Sequence, residues 1–244
     1  MRLLTPLGFI AALASTTTLS AQSSGDIRAF TALRATPIGA LTPIITPAMI
    51  SRHLNGAQLG LRYGLLDENN LRNHAIAATG IFGVGMASSV TLTAGVRTCQ
   101  GCDAGMMLGA GGDMRVYDGA DALGAGTALS LAVSGDLGYA QLRPGNESAL
   151  SLGVGAPVTL TFGATSEGMR IAPFFTPVFG IGSTTGGCPA LFPNCQTNGV
   201  RWVMGGGIGV WNPMTSISAS VGVNQVILSG AKPVWGINVQ LGGR

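Results

Sequence analysis

Apolar and polar positions alternate along most of this chain. Between Ala149 and Gly163, Leu150, Leu152, Val154, Ala156, Val158, Leu160 and Phe162 share one parity. Ser151, Gly153, Gly155, Pro157, Thr159 and Thr161 occupy the other. Side chains of a strand point to alternate faces, so this segment reads as a strand with one apolar face and one small, mostly polar face. Pro157 cannot donate to a strand ladder. It predicts a bulge or local break near Gly155–Pro157, with a one-residue slip in the alternation.

The pattern starts at Gly56. Gly56–Leu65 sets Ala57, Leu59, Leu61, Tyr63 and Leu65 against Gln58, Gly60, Arg62 and Gly64. It continues through Ala75–Gly85, Ser89–Arg97, Gly105–Val116, Thr127–Leu142, Met169–Gly182, Val200–Trp211, Ser216–Leu228 and Val234–Leu241. The stretches Asp67–His74, Met86–Ser88, Thr98–Ala104, Tyr117–Gly126, Arg143–Ser148, Ala164–Gly168, Ser183–Gly199 and Asn212–Thr215 read as loops or turns. The count is about ten strands, within a range of about eight to twelve. Many exceed the ~5–6 residues of an ordinary strand and match the ~9–11 that cross a bilayer. Long and short connections roughly alternate, as they do in bacterial barrels.

Upstream, Arg2, the apolar run Leu3–Ala14 and the small polar run Ser15–Ala21 read as a signal peptide cleaved after Ala21. Gln22–Asn55 carries Pro37, Pro43 and Pro47, and Ile38–Ile50 is apolar without a clean period. This region is left open among a periplasmic lead-in, an inward plug and an extra strand. The barrel domain is taken as residues 56–244.

Composition narrows the class. Only 9% of the residues are charged, against about 25% in a typical soluble domain, and the mean hydropathy is +0.43. The 39 glycines disfavour helices but suit strands that bend and pack closely. A net charge of +3 gives no basis for a nucleic-acid partner. Helical membrane spans fit poorly, because the uncharged runs are studded with Gly and Pro and repeat every second residue. A secreted soluble β-sandwich remains the rival. Its polar parity should carry Lys, Glu and Asp, where this chain has mainly Gly, Ser and Thr.

On this pattern Gly56–Leu241 resembles the small bacterial outer-membrane β-barrel proteins. Trp235, Ile237, Val239 and Leu241 resemble that family's C-terminal assembly signal, from which Gly242-Gly243-Arg244 departs. The resemblance implies an all-β, antiparallel transmembrane barrel in outer-membrane lipid, with the barrel-assembly machinery as a partner.

The charges fall on the inward parity: Arg62, Arg97, Asp113, Arg115, Asp136, Arg170 and Arg201, with Asn224, Asn238 and Gln240 beside them. An Arg facing mid-membrane lipid costs about 2–4 kcal/mol, so these residues are expected to face the lumen. They could form a packed interior in which Arg62 and Arg115 pair with Asp136 and Asp113. They could instead line a narrow, anion-leaning pore. Cys99–Cys102 and Cys188–Cys195 are expected to staple two outer loops in an oxidising compartment, in preference to a four-Cys zinc site. No metal or cofactor is expected. His53, and His74 with Asp67 and Glu68, read as loop polarity rather than a catalytic group. The glycine runs Gly109–Asp113 and Gly205–Gly209 lack the Lys-Ser/Thr and helix of a phosphate loop. The leading expectation is an integral outer-membrane protein with a structural or surface-interaction role and no catalysis. A small anion-leaning pore is the alternative, and a secreted sandwich that binds a partner is the second.

Overall fold

A computed structural model describes residues 24–242, except 47, 48, 50–56, 69–70, 86, 100–103, 144–146, 164–167, 186–197, 213–216 and 229–230. Two helices precede the strands: α1 (Ser24–Ala35) and α2 (Pro37–Ala40). The strands are β1 (Ala57–Glu68), β2 (Leu71–Val84), β3 (Ser88–Cys99), β4 (Gly105–Ala120), β5 (Thr127–Arg143), β6 (Glu147–Gly155), β7 (Val158–Phe162), β8 (Arg170–Thr184), β9 (Asn198–Asn212), β10 (Ile217–Val226) and β11 (Val234–Gly242).

All strand pairs are antiparallel, and β11 pairs with β1, so the sheet closes on itself. The 11 strands make ten staves, because β6 and β7 are successive parts of one stave between β5 and β8. This is the closed barrel that the alternation predicts, and one continuous ladder excludes the two-sheet sandwich.

The parity also decides the faces. Leu59 is 69% exposed and Leu61 66%, while Gln58 and Arg62 on the same strand are buried. The outward faces of every stave carry large apolar side chains, among them Val96, Leu108, Leu152, Ile181, Trp202 and Ile237. Aromatic residues sit near both ends of this outer face. Phe179 and Trp202 stack edge-on at 5.4 Å toward one end, and Phe82, Tyr117 and Phe162 lie exposed toward the other.

The predicted break at Pro157 is present, and the slip is not. Pairs on either side hold one register: Ser134↔Gly155 and Leu131↔Val158 on one flank, Gly155↔Val178 and Val158↔Phe175 on the other. Ala156 donates to Pro177 at 3.0 Å and Ala132 donates to Pro157 at 2.9 Å. Only the bond that a proline N–H would have returned is lost, so no extra residue is needed. The register shifts lie elsewhere, at Arg115/Tyr117 on β4 and at Gln141/Arg143 on β5.

Two connections are shorter than the sequence suggests. β1 runs to Glu68 and β2 starts at Leu71, so most of Asp67–His74 is ladder. β4 continues through its bulge to Ala120, leaving Asp121–Gly126 as the turn. Where neither face is sorted by an apolar environment, pairing persists while the alternation that reveals it fades. The turn at Asp121 is a capped one: the residue has φ 54°, and its side chain accepts from Gly126 N at 2.9 Å.

The even number of staves brings both ends of the barrel strands together, with Gln58 opposite Gly242. That end also carries the turns at 85–87 and 121–126. The opposite end carries the ends of β8 and β9 at Thr184 and Asn198, and those of β10 and β11 at Val226 and Val234. These are called the turn end and the loop end.

Candidate functional site: the plugged lumen

Residues 24–46 and Met49 lie within the barrel as a plug. α1 is an Ala-rich run that stops at Ala35 because Thr36, ahead of Pro37, is forced into the extended region at φ −82°, ψ 164°. Thr36 turns its hydroxyl back to Leu33 O at 3.0 Å, and Pro37 opens α2, where its missing N–H costs nothing. Thr42–Thr46 then runs extended.

The segment passes through the lumen lengthwise. At the loop end, Arg34 donates to Lys232 O at 3.0 Å, and Leu33 and Phe30 pack with Val178, Val203 and Val226. At the turn end, Thr46 donates to Asp113, which also accepts from Ser89. Ala32, Leu33, Ala35, Leu41, Ile44, Ile45 and Met49 of the plug are all buried. The hydrophobic core of this protein therefore lies inside the barrel and is shared between the plug and the inward face of the wall.

The wall meets the plug in two ways. Side-chain donors reach its main-chain carbonyls. Arg62 on β1 donates to Thr42 O at 2.6 Å. Asn224 on β10 donates to Ile38 O at 2.6 Å and Leu41 O at 2.8 Å. Asn238 on β11 donates to Pro43 O at 3.1 Å, and Gln240 to Ile45 O at 3.3 Å. Wall glycines supply the room. A Cβ on Gly64 would run into the carbonyl of Ala40, one on Gly205 into the Pro43 ring, and one on Gly209 into Ile45. Ser151 adds a hydroxyl contact to Thr36 at 2.7 Å.

On the β3–β5 side the fit is looser. A cavity of about 120 Å³ remains between plug and wall, bordered by Arg62, Thr93, Asp113, Ser134, Asp136 and Thr176. Ser134 Oγ, Thr176 Oγ1 and Arg62 Nε have no protein hydrogen-bond partner there. A polar space of this size accommodates ordered water.

Of the expected lumen residues, Arg62, Asp113, Asn224, Asn238 and Gln240 are buried, and the plug supplies contacts beyond the expected pairing. Arg62 binds a plug carbonyl, and Asp113 is held by Thr46 and Ser89. The ion pair of Arg115 is with Asp118, at 3.6 Å. Arg62 and Asp136 still interact electrostatically, and the plug adds acceptors and hydroxyls of its own beside them. Arg170 lies 5.9 Å from the ring centre of Trp211, Arg97 sits beside Gly105, and Arg201 bonds to Val200 O at 2.9 Å.

His74 lies on β2 rather than in a loop, bonded to Tyr63 at 2.7 Å, and Asp67 pairs with Arg72 at 3.7 Å. His53, Cys102, Cys188 and Cys195 lie outside the described residues. So does the side chain of Cys99, and both expected disulfides therefore lie outside the described residues. Among the described residues no group of three or more His, Cys, Asp or Glu is placed to hold a metal. The plug-shaping glycines Gly64, Gly205, Gly209 and Gly236 were not singled out from sequence. Their signal was present as glycine on the inward parity, where it read only as crowding.

The molecule is thus a closed, antiparallel ten-stave barrel with its lumen occupied by its own N-terminal segment. No family model and no curated protein matches the chain. Similar solved structures are distant. The translocator domain of autotransporter NalP from Neisseria meningitidis has 11% identity over 77% of this chain and 86% of that one, at a TM-score of 0.31. A structure described under the mechanism of in-meso crystallization of membrane proteins has 11% identity over 77% and 83%, at 0.33. A triple mutant of Rhodopseudomonas blastica porin has 11% over 78% and 99%, at 0.17. Likenesses this remote carry no argument about function.

Proposed function

We propose that this chain is an outer-membrane barrel, closed at rest by its own N-terminal segment, with a structural or surface-interaction role and no catalysis. One observation carries the reading. The apolar parity faces outward on every stave while the polar parity is buried against a hydrogen-bonded plug. In water that exterior would be a single large apolar patch, of a kind soluble monomers do not expose. In a bilayer it matches the surroundings, and closure leaves no strand edge unsatisfied. The turn end, with both strand termini, is the periplasmic side in this reading, and the end of β8 at Thr184 faces outside. Outward Trp235, Ile237, Val239 and Leu241 on β11 form the surface offered to the barrel-assembly machinery.

The anion-leaning pore stays as a second reading because Arg62, Arg97, Arg115, Arg170 and Arg201 outnumber Asp113 and Asp136 on the inward face. It requires the plug to leave. Two measurements test the pair. Folded protein should need detergent, and its electrophoretic mobility should change on boiling; full aqueous solubility with no shift sinks the membrane reading. In planar bilayers the native chain should be silent. Steady conductance, with an ion preference altered by Arg62→Ala or Arg97→Ala, installs the pore instead.

A further inference from the structure

We infer that the lumen is a binding site for an extended polypeptide, read through its main chain, and that Leu41–Thr46 is a replaceable occupant of it. The inference rests on the self-plugged barrel described above.

The first argument is the choice of acceptors. Arg62, Asn224, Asn238 and Gln240 donate to the carbonyls of Ile38, Leu41, Thr42, Pro43 and Ile45. Every residue of any polypeptide has such a carbonyl, so these contacts carry no demand on sequence. The second is how the plug side chains are housed. Pro43 and Ile45 sit where Gly205 and Gly209 leave the wall bare. Space made by missing atoms admits many side chains, and the 120 Å³ cavity alongside widens the tolerance.

The third argument is a mismatch. Asn238 is 1% exposed, and its Oδ1 has no hydrogen-bond partner while its Nδ2 holds the Pro43 carbonyl. A side-chain amide lying along an extended chain can give its N–H to a carbonyl and take an N–H in return. Proline has no N–H to give. The resident segment therefore leaves a buried acceptor of its own receptor unused, which an ordinary residue at that position satisfies. The preferred ligand is an extended, uncharged peptide with an ordinary residue in place of Pro43. At the position of Thr46 it carries a hydroxyl for Asp113.

The test uses the full chain in detergent, with a site-specific protease sequence placed between Ser51 and Gly56 and cut after folding. Fluorescent synthetic peptides copy Ser24–Met49 as it stands, with Pro43→Ala, or with Ile44→Val and Ile45→Val together. After cutting, the labelled native-sequence peptide should replace the resident fragment, as read by anisotropy. The Pro43→Ala peptide should bind at least fivefold tighter, and the valine peptide within tenfold of the native one. In an Asn238→Ala barrel the preference for Pro43→Ala should vanish. A resident fragment that never exchanges overturns the inference, as does a hundredfold loss with the valine peptide. If cutting unravels the barrel, seen as loss of the heat-shifted band, uncut Pro43→Ala decides by hydrogen exchange. Slower exchange in the plug supports the inference, and unchanged or faster exchange overturns it. Loss of the membrane reading shows separately, in solubility before any cut is made.

Discussion

Asn224 on β10 and Asp136 on β5 both point into the lumen, and they meet the plug on different terms. On the Asn224 side, amide and guanidinium donors close onto carbonyls at 2.6–3.3 Å and glycines let the plug come within contact. On the Asp136 side the carboxylate makes no hydrogen bond to the plug among the described residues, and it faces the cavity that Asn224 also borders. Both walls descend from the same kind of parity, small and uncharged apart from a few ionic groups. The difference shows that lumen polarity alone does not seal a barrel. The seal comes where donors and bare backbone coincide with the path of the plug.

The largest expected effect comes from filling the tight side. In Gly64→Val the new side chain meets the Ala40 carbonyl, which is backbone and cannot swing aside. Overpacking of this kind costs about 1–3 kcal/mol. The plug should be pushed out of register, giving persistent conductance in planar bilayers. Gly135→Ala, whose Cβ would point to the outer face and meet nothing within 4 Å, is the control for substitution in the wall itself and should stay silent. Equal behaviour of the two variants would mean that filling the lumen is not what displaces the plug.

Asn224→Ala comes next. It strands two buried carbonyls, and an unsatisfied buried group costs about 1–3 kcal/mol. Openings should become roughly tenfold more frequent without loss of the heat-shifted band, since the barrel ladders are untouched. Asp136→Asn should matter less to closure, changing opening by less than about threefold, because among the described residues its side chain makes no hydrogen bond to the plug. Its effect belongs in ion preference once the plug is out. If it opens the barrel as readily as Asn224→Ala, the loose side also carries the seal.

The smallest effect lies in the wall itself. Pro157→Ala restores an N–H opposite Ala132, whose own N–H already reaches Pro157 O at 2.9 Å. One recovered ladder bond is worth about 0.5–1.5 kcal/mol. Hydrogen exchange at residues 131–133 should slow while plug closure stays unchanged. Faster exchange would mean that the chain needs the proline at that point.

How much of this was legible is clearest at particular residues. Leu150 through Phe162 announced their strand and its outward face by parity, because a sheet with unlike surroundings sorts side chains with a period of two. The same logic placed Arg62, Asn224, Asn238 and Gln240 inside. It failed at Asp67–His74 and beyond Val116, where neither environment penalises the wrong residue and alternation carries no information. Parity also gave no sign of the plug carbonyl, twenty residues earlier in the chain, to which Arg62 donates.

The sequence by itself determined which residues point out and which point in, and hence that the chain closes as a barrel. That follows because burial on a strand is a local, periodic property. What fills the barrel was settled only in three dimensions. Ile38–Ile50 has no period of its own, and Leu41–Thr46 lies enclosed in the lumen with no solvent face to mark it. Its place is set by Asn224, Asn238 and Gln240, nearly two hundred residues away along the chain, and by glycines whose role lies in the atoms they lack.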